Sequence, residues 1–203
     1  MQRALLPRTW SKSRFAFGGS LLKGSHAKTK RIFRPKLPLH VVLKSSKAKG
    51  AKSFLLNSRR IALILSEHAA RHHVRLQQVA NAGNHIQLLL EAPSREHLSG
   101  FLRAITGHIA LVVTMRALQT TAVTNGSVTE YPSSKRFWDA RPFSRIISRG
   151  RDHRHVARYL GMNAAEMIGL SRSQVRGIFH EIEEALRRGL IPRTPGLVAA
   201  GFI

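Results

Sequence analysis

The sequence predicts an α+β domain, an antiparallel sheet with helices on one of its faces. Three observations predict it. Period-two and 3.6-residue periodicities follow one another along the chain in the order strand, helix, strand, strand, helix, strand, helix. The second and third strand segments are separated only by Asn81-Ala82-Gly83-Asn84, turn chemistry that joins antiparallel neighbours. The length of 203 residues, 43% of them hydrophobic, suits one domain with a real core and is short for two.

Residues 1–35 mix basic side chains with Gly18-Gly19, Gly24 and Pro35 and have no period, so they read as a basic N-terminal arm. Leu37-Pro38-Leu39-His40-Val41-Val42-Leu43 alternates as a first strand, with Leu37, Leu39, Val41 and Leu43 on one face and His40 on the other. A basic, Ser-rich loop runs from Lys44 to Lys52. Asn57 is the expected N-cap of a helix ending near His72, with Ile61, Ala62, Leu65 and Ala69 on its core-facing stripe. Val74 to Ala80 reads as the second strand, and the third carries His85-Ile86-Gln87-Leu88-Leu89-Leu90 before ending at Glu91-Ala92-Pro93. In that strand His85 and Gln87 point to one side while Ile86, Leu88 and Leu90 point to the other. Ser94 caps the longest helical pattern, whose apolar face holds Leu98, Phe101, Leu102, Ile105, Ile109, Val112 and Val113. Residues 117–135, rich in Thr, Ser and Asn, read as a loop. Pro142 to Ser148 is the fourth strand, Asp152 caps a helix reaching about Met162, and Ser173-Gln174 open a last helix to about Arg188.

This order is that of a split βαβ, ferredoxin-like sheet with an added helix. It places the domain at 36–170 and a C-terminal helix and tail at 171–203. Helices on one sheet face leave the other to carry His40, His85 and Gln87.

Charge narrows the partner. Against 34 Lys and Arg stand 10 Asp and Glu, a net +24 and a pI of about 11.9. The first acidic residue is Glu67, whereas Arg3 to Arg60 supply sixteen basic side chains. Such a chain seeks a polyanion, and nucleic acid, a membrane surface and the ribosome all satisfy the composition. No uninterrupted apolar run approaches the roughly 18 residues of a membrane span, and no secretory signal is recognisable, so a cytoplasmic location without membrane association is expected. Zero cysteines exclude disulfides, thiolate zinc sites and cysteine nucleophiles. The expected phosphate contacts are Arg34, Lys36, Lys44, Lys47, Lys49, Lys52, Arg145, Arg154, His155 and Arg158, with His40 as a further candidate for DNA contact.

Arg34-Pro35-Lys36-Leu37-Pro38-Leu39-His40, Asn84-His85-Ile86-Gln87-Leu88-Leu89-Leu90, Phe137-Trp138-Asp139 with Phe143, and Tyr159-Leu160-Gly161-Met162-Asn163 occur in that order. Together, over about residues 31–170, they resemble the single-tyrosine transposases of the HUH superfamily, in particular the REP-associated branch of bacteria. The resemblance implies a protein of the bacterial nucleoid that acts on single-stranded or hairpin DNA. It implies that Tyr159 attacks a phosphodiester, leaving a 5′-phosphotyrosine and a 3′-OH, with His85, the residue at 87 and Asn163 holding Mg²⁺ or Mn²⁺. Gln87 departs from the family, which has a second histidine there, and an amide oxygen is a weaker, harder ligand than imidazole. Two functions therefore stand side by side: a DNA-nicking and rejoining transposase, or a DNA-binding protein of the same fold whose chemistry has lapsed. An RNA-binding protein is the third.

The residues can be read without the family as well. His155, Tyr159 and Asn163 are spaced at i−4, i and i+4 and share one helix stripe. On spacing alone Tyr159 is either an activated nucleophile or an amphipathic core residue with its hydroxyl at the rim. Trp138 reads as a structural anchor.

Overall fold

The computed structural model describes residues 15–19, 29–125, 136–167 and 169–190. Five strands, β1 (Ala16–Phe17), β2 (Leu39–Lys44), β3 (Arg75–Asn81), β4 (His85–Glu91) and β5 (Phe143–Ile146), form one antiparallel sheet in the order β1-β5-β2-β4-β3. Among the described residues four α-helices accompany it: α1 (Ser58–Arg71), α2 (Arg95–Asn125), α3 (Arg151–Met167) and α4 (Arg172–Arg187). The class is α+β, as the sequence predicts.

Period-two alternation settles which side chains meet which layer. Leu39, Val41 and Leu43 of β2 and Ile86, Leu88 and Leu90 of β4 join Ile61, Ile64 and Leu65 of α1 and Leu98, Phe101, Ile105 and Ile109 of α2 in the larger core. Burying such a side chain contributes about 1.5–3 kcal/mol, so this layer dominates the stability. Ile64 is buried on α1, while Ala62, expected on the stripe, is exposed. Asn57 precedes α1, but its amide does not cap the helix. It donates to Ala51 O at 3.0 Å and Ser53 O at 2.8 Å, bracing the preceding loop instead. Ser94 does cap α2, its Oγ accepting from the N–H groups of Glu96 and His97. Gly83, at φ 82°, turns the hairpin, a conformation for which glycine has no steric cost.

Three expectations are corrected. First, the sheet's other face is not open. Val156, Ala157 and Leu160 of α3 are buried there with Val42, Ala80, Leu89, Phe143 and Ile147, so helices lie on both faces. Second, part of the supposed arm is integral. Ala16–Phe17 pairs with Ser144 and Arg145 of β5, and Ile32 and Phe33 pack against the main core. Third, α2 continues to Asn125 through residues assigned to a loop, because extending a formed helix adds a hydrogen bond per residue fixed, even where Thr is frequent. The rest of that segment, 126–135, lies outside the described residues. The stretch 95–115 of α2 is long and apolar enough to cross a bilayer, yet its Leu98, Phe101, Ile105, Ile109 and Val113 face the sheet.

Candidate functional site: a buried histidine and glutamine row beneath the Tyr159 helix

On the face covered by α3, β2 and β4 place three polar side chains in a hydrogen-bonded row. The register sets Val42 opposite Gln87 and His40 opposite Leu89, so His40 and Gln87 are diagonal neighbours within side-chain reach. His40 Nε2 lies 3.1 Å from Gln87 Oε1, Gln87 Nε2 lies 3.2 Å from His85 Nε2, and His85 Nδ1 lies 2.8 Å from Asn84 Oδ1. As the amides are placed, one tautomer assignment satisfies every contact. His40 donates through Nε2–H, Gln87 accepts at Oε1 and donates from its NH₂, and His85 accepts at Nε2 and donates through Nδ1–H to Asn84.

His85 must be neutral to accept at Nε2, and His40, which only donates, is kept neutral by its burial. Burial pushes His40 down to about 3; the hydrogen bond to Gln87 works the other way, and the charge of Arg145, directly across the β2–β5 ladder, lowers it further. Burial also pulls His85 down to about 4, helped by Lys44 opposite it on β2. His40 and Gln87 are both 0% exposed, which removes His40 from any direct contact with DNA.

Helix α3 is tied down beside this row. Arg145 donates from both Nη atoms to Asp152, at 3.0 and 3.2 Å, and the same carboxylate accepts from Ser148 N–H at 3.1 Å. Asp152 lies within the first turn of α3 rather than capping it, where its charge also suits the helix dipole. His153 Nε2 meets Gln77 Oε1 of β3 at 2.7 Å. Tyr159 is half-buried and packs against the cluster containing Val42 and Leu89, whereas His155 is exposed and Asn163 half-buried. The structure thus brings Tyr159 to the sheet face of His40, His85 and Gln87. Replacing Asp152 by Ala deprives Arg145, 8% exposed, of its carboxylate; unfolding in urea should show a loss of about 2 kcal/mol.

The residues do not fit a divalent cation in this arrangement. His85 Nε2 has one lone pair, and it accepts from Gln87; Gln87 Oε1 accepts from the buried His40; and Lys44 sets a positive charge opposite His85. Among the described residues no three His, Asp or Glu groups converge as a metal site.

The expected phosphate contacts divide. Arg34, Lys36, Lys47, Lys49, Arg154 and His155 are exposed, and Lys44 and Lys52 half-exposed. Two are committed elsewhere: Arg145 is buried in its pair with Asp152, and Arg158 donates to Glu183 of α4 at 2.6 Å while lying over the Phe179 ring. Trp138 is an anchor, donating through Nε1–H to Thr106 O at 2.9 Å and packing on Phe54. The role of His40 escaped sequence reasoning because its partner is 47 residues away; its position off the apolar row was the only signal. No protein-family model matches the chain, and no curated protein matches it.

Proposed function

We propose that the protein binds structured single-stranded DNA, such as a hairpin, on a ferredoxin-like domain akin to that of the single-tyrosine transposases, and that strand-transfer chemistry has lapsed. The observation that carries the reading is the packing of α3, through Val156, Ala157, Leu160 and the half-buried Tyr159, on the sheet face bearing His40, His85 and Gln87. Without β1, the sheet order β5-β2-β4-β3 is what a split βαβ unit would have. The lapse is supported by Gln87, whose amide joins two neutral histidines instead of offering lone pairs to a cation. Affinity comes from the +24 charge through phosphate contacts and counterion release, and hairpin shape supplies selectivity.

The test is competition binding followed by an adduct assay. At fixed, near-physiological salt, hairpin DNA should displace a labelled hairpin better than RNA of equal length, and affinity should fall steeply as salt rises. With Mg²⁺ or Mn²⁺ present, the wild type should form no covalent adduct. RNA winning the competition would overturn the DNA assignment. An adduct in wild type that disappears in Tyr159→Phe would overturn the lapse and restore the transposase reading.

A further inference from the structure

A cavity of about 460 Å³ lies away from the histidine row, between α2 and the segments that carry Phe17, Arg31 and Pro142. Its volume is that of a small-molecule site and far exceeds what inorganic phosphate alone would need. Three arginines line it, Arg31, Arg103 and Arg141, and among the described residues no Asp or Glu does. Phe17, Leu102 and Pro142 supply apolar wall.

Arg31 is held in place by neutral partners. Its Nη1 donates to Ser144 Oγ and its Nη2 to Pro142 O at 2.9 Å, its guanidinium lies 4.7 Å over the Phe17 ring, and Arg95 grips its backbone carbonyl. The local backbone is shaped for this approach: a Cβ on Gly18, at φ 70°, would come within 2.6 Å of Pro142 O. Burial, and then the charge of Arg141, bring Arg31 down to about 10, the signature of a cation buried near another cation. A fixed Arg31, with the charge of Arg141 near it and Arg103 on the same lining, suits the oxygens of a phosphate, and Ser99 adds a hydroxyl to the lining.

We propose that this cavity binds one phosphate-bearing nucleotide unit, its phosphate among Arg31, Arg103 and Arg141 and its sugar or base against the apolar wall. The choice of a nucleotide rests on the DNA-binding reading above; the anion site itself does not. A terminal phosphate of a DNA strand and a free nucleotide share this chemistry.

Calorimetric titration of the full chain decides it, using dAMP, deoxyadenosine, and one single-stranded oligonucleotide with either a 5′-phosphate or a 5′-hydroxyl. The phosphorylated ligands should bind at least tenfold tighter than their unphosphorylated counterparts. Arg103→Gln, on the exposed side of α2, and Arg31→Lys, which keeps the charge and loses the fork, should each weaken them about tenfold, with far-UV spectra confirming the fold. A stronger effect of the phosphate on the oligonucleotide assigns the site to a strand end, and a stronger effect on dAMP assigns it to a free nucleotide. Equal binding with and without phosphate, or wild-type affinity in both variants, overturns the inference. If hairpin DNA still binds in that case, the reading of the whole domain survives the loss of the pocket. If dAMP binds in an Arg103-dependent way while hairpin DNA does not, the pocket stands and the wider reading falls.

Discussion

Gln87→Met should lower the unfolding free energy by about 3 kcal/mol, an effect of the size associated with stranding buried hydrogen-bond partners. Methionine keeps the length and the apolar contacts of glutamine, so volume is nearly conserved. What disappears is the acceptor for His40 Nε2–H and the donor to His85 Nε2. His85 is half-exposed and can turn to water, but His40 is 0% exposed and carries most of the penalty. Two measurements identify the cause. Equilibrium unfolding in urea gives the loss, and the double variant His40→Leu with Gln87→Met should recover at least 1 kcal/mol of it, because removing both partners leaves less stranded. Losses in Gln87→Met and in His40→Leu that simply add in the double variant would show that Gln87 acts by packing alone.

Acid should unfold the protein well above the pH at which its carboxylates protonate. His40 in the fold stays neutral until about pH 3 and His85 until about pH 4, whereas both take up protons near 6.5 when unfolded. Over the interval from about 6.5 to 3 the unfolded chain binds more protons, so stability is complete above 6.5 and is lost progressively as pH falls. His68, lowered chiefly by burial and also by His108, Arg71 and His72, and His153, lowered chiefly by burial, act in the same sense. By pH 4 the share of His40 alone is about 3 kcal/mol, a large fraction of a domain's stability. The midpoint of urea unfolding, followed from pH 7 to pH 4, should fall steadily. The double variant at 40 and 87 should show a visibly flatter profile. A midpoint independent of pH down to 4.5 would contradict the neutral histidine row.

Much of the domain was legible locally. Alternation in β2 and β4 assigned Leu39, Val41, Leu43, Ile86, Leu88 and Leu90 to one layer, and all six are buried in it. Ser94 marked the start of α2, and Gly83 the hairpin turn, because capping and left-handed backbone are decided by a residue and its immediate neighbours. Asn57 departs from the expected N-cap for the same reason inverted: a competing loop carbonyl claims its amide. Helix α2 runs past its expected end because a nucleated helix continues through residues that would not start one.

The α+β class, the faces of the strands and the basic character of the chain follow from side-chain period and counted charge, which local sequence carries in full. What His40, His85 and Gln87 do depends on long-range packing. Their row exists because the β2–β4 register sets residues 47 positions apart on a diagonal and because α3, far downstream, closes over that face with Val156, Ala157 and Leu160. Burial then makes neutrality cheaper than charge for both rings, and neutral rings hydrogen-bond to the glutamine. The same holds for Arg31, a residue of the expected arm, which comes to line a cationic cavity together with Phe17 of β1, Pro142 just before β5, and Leu102 and Arg103 of α2.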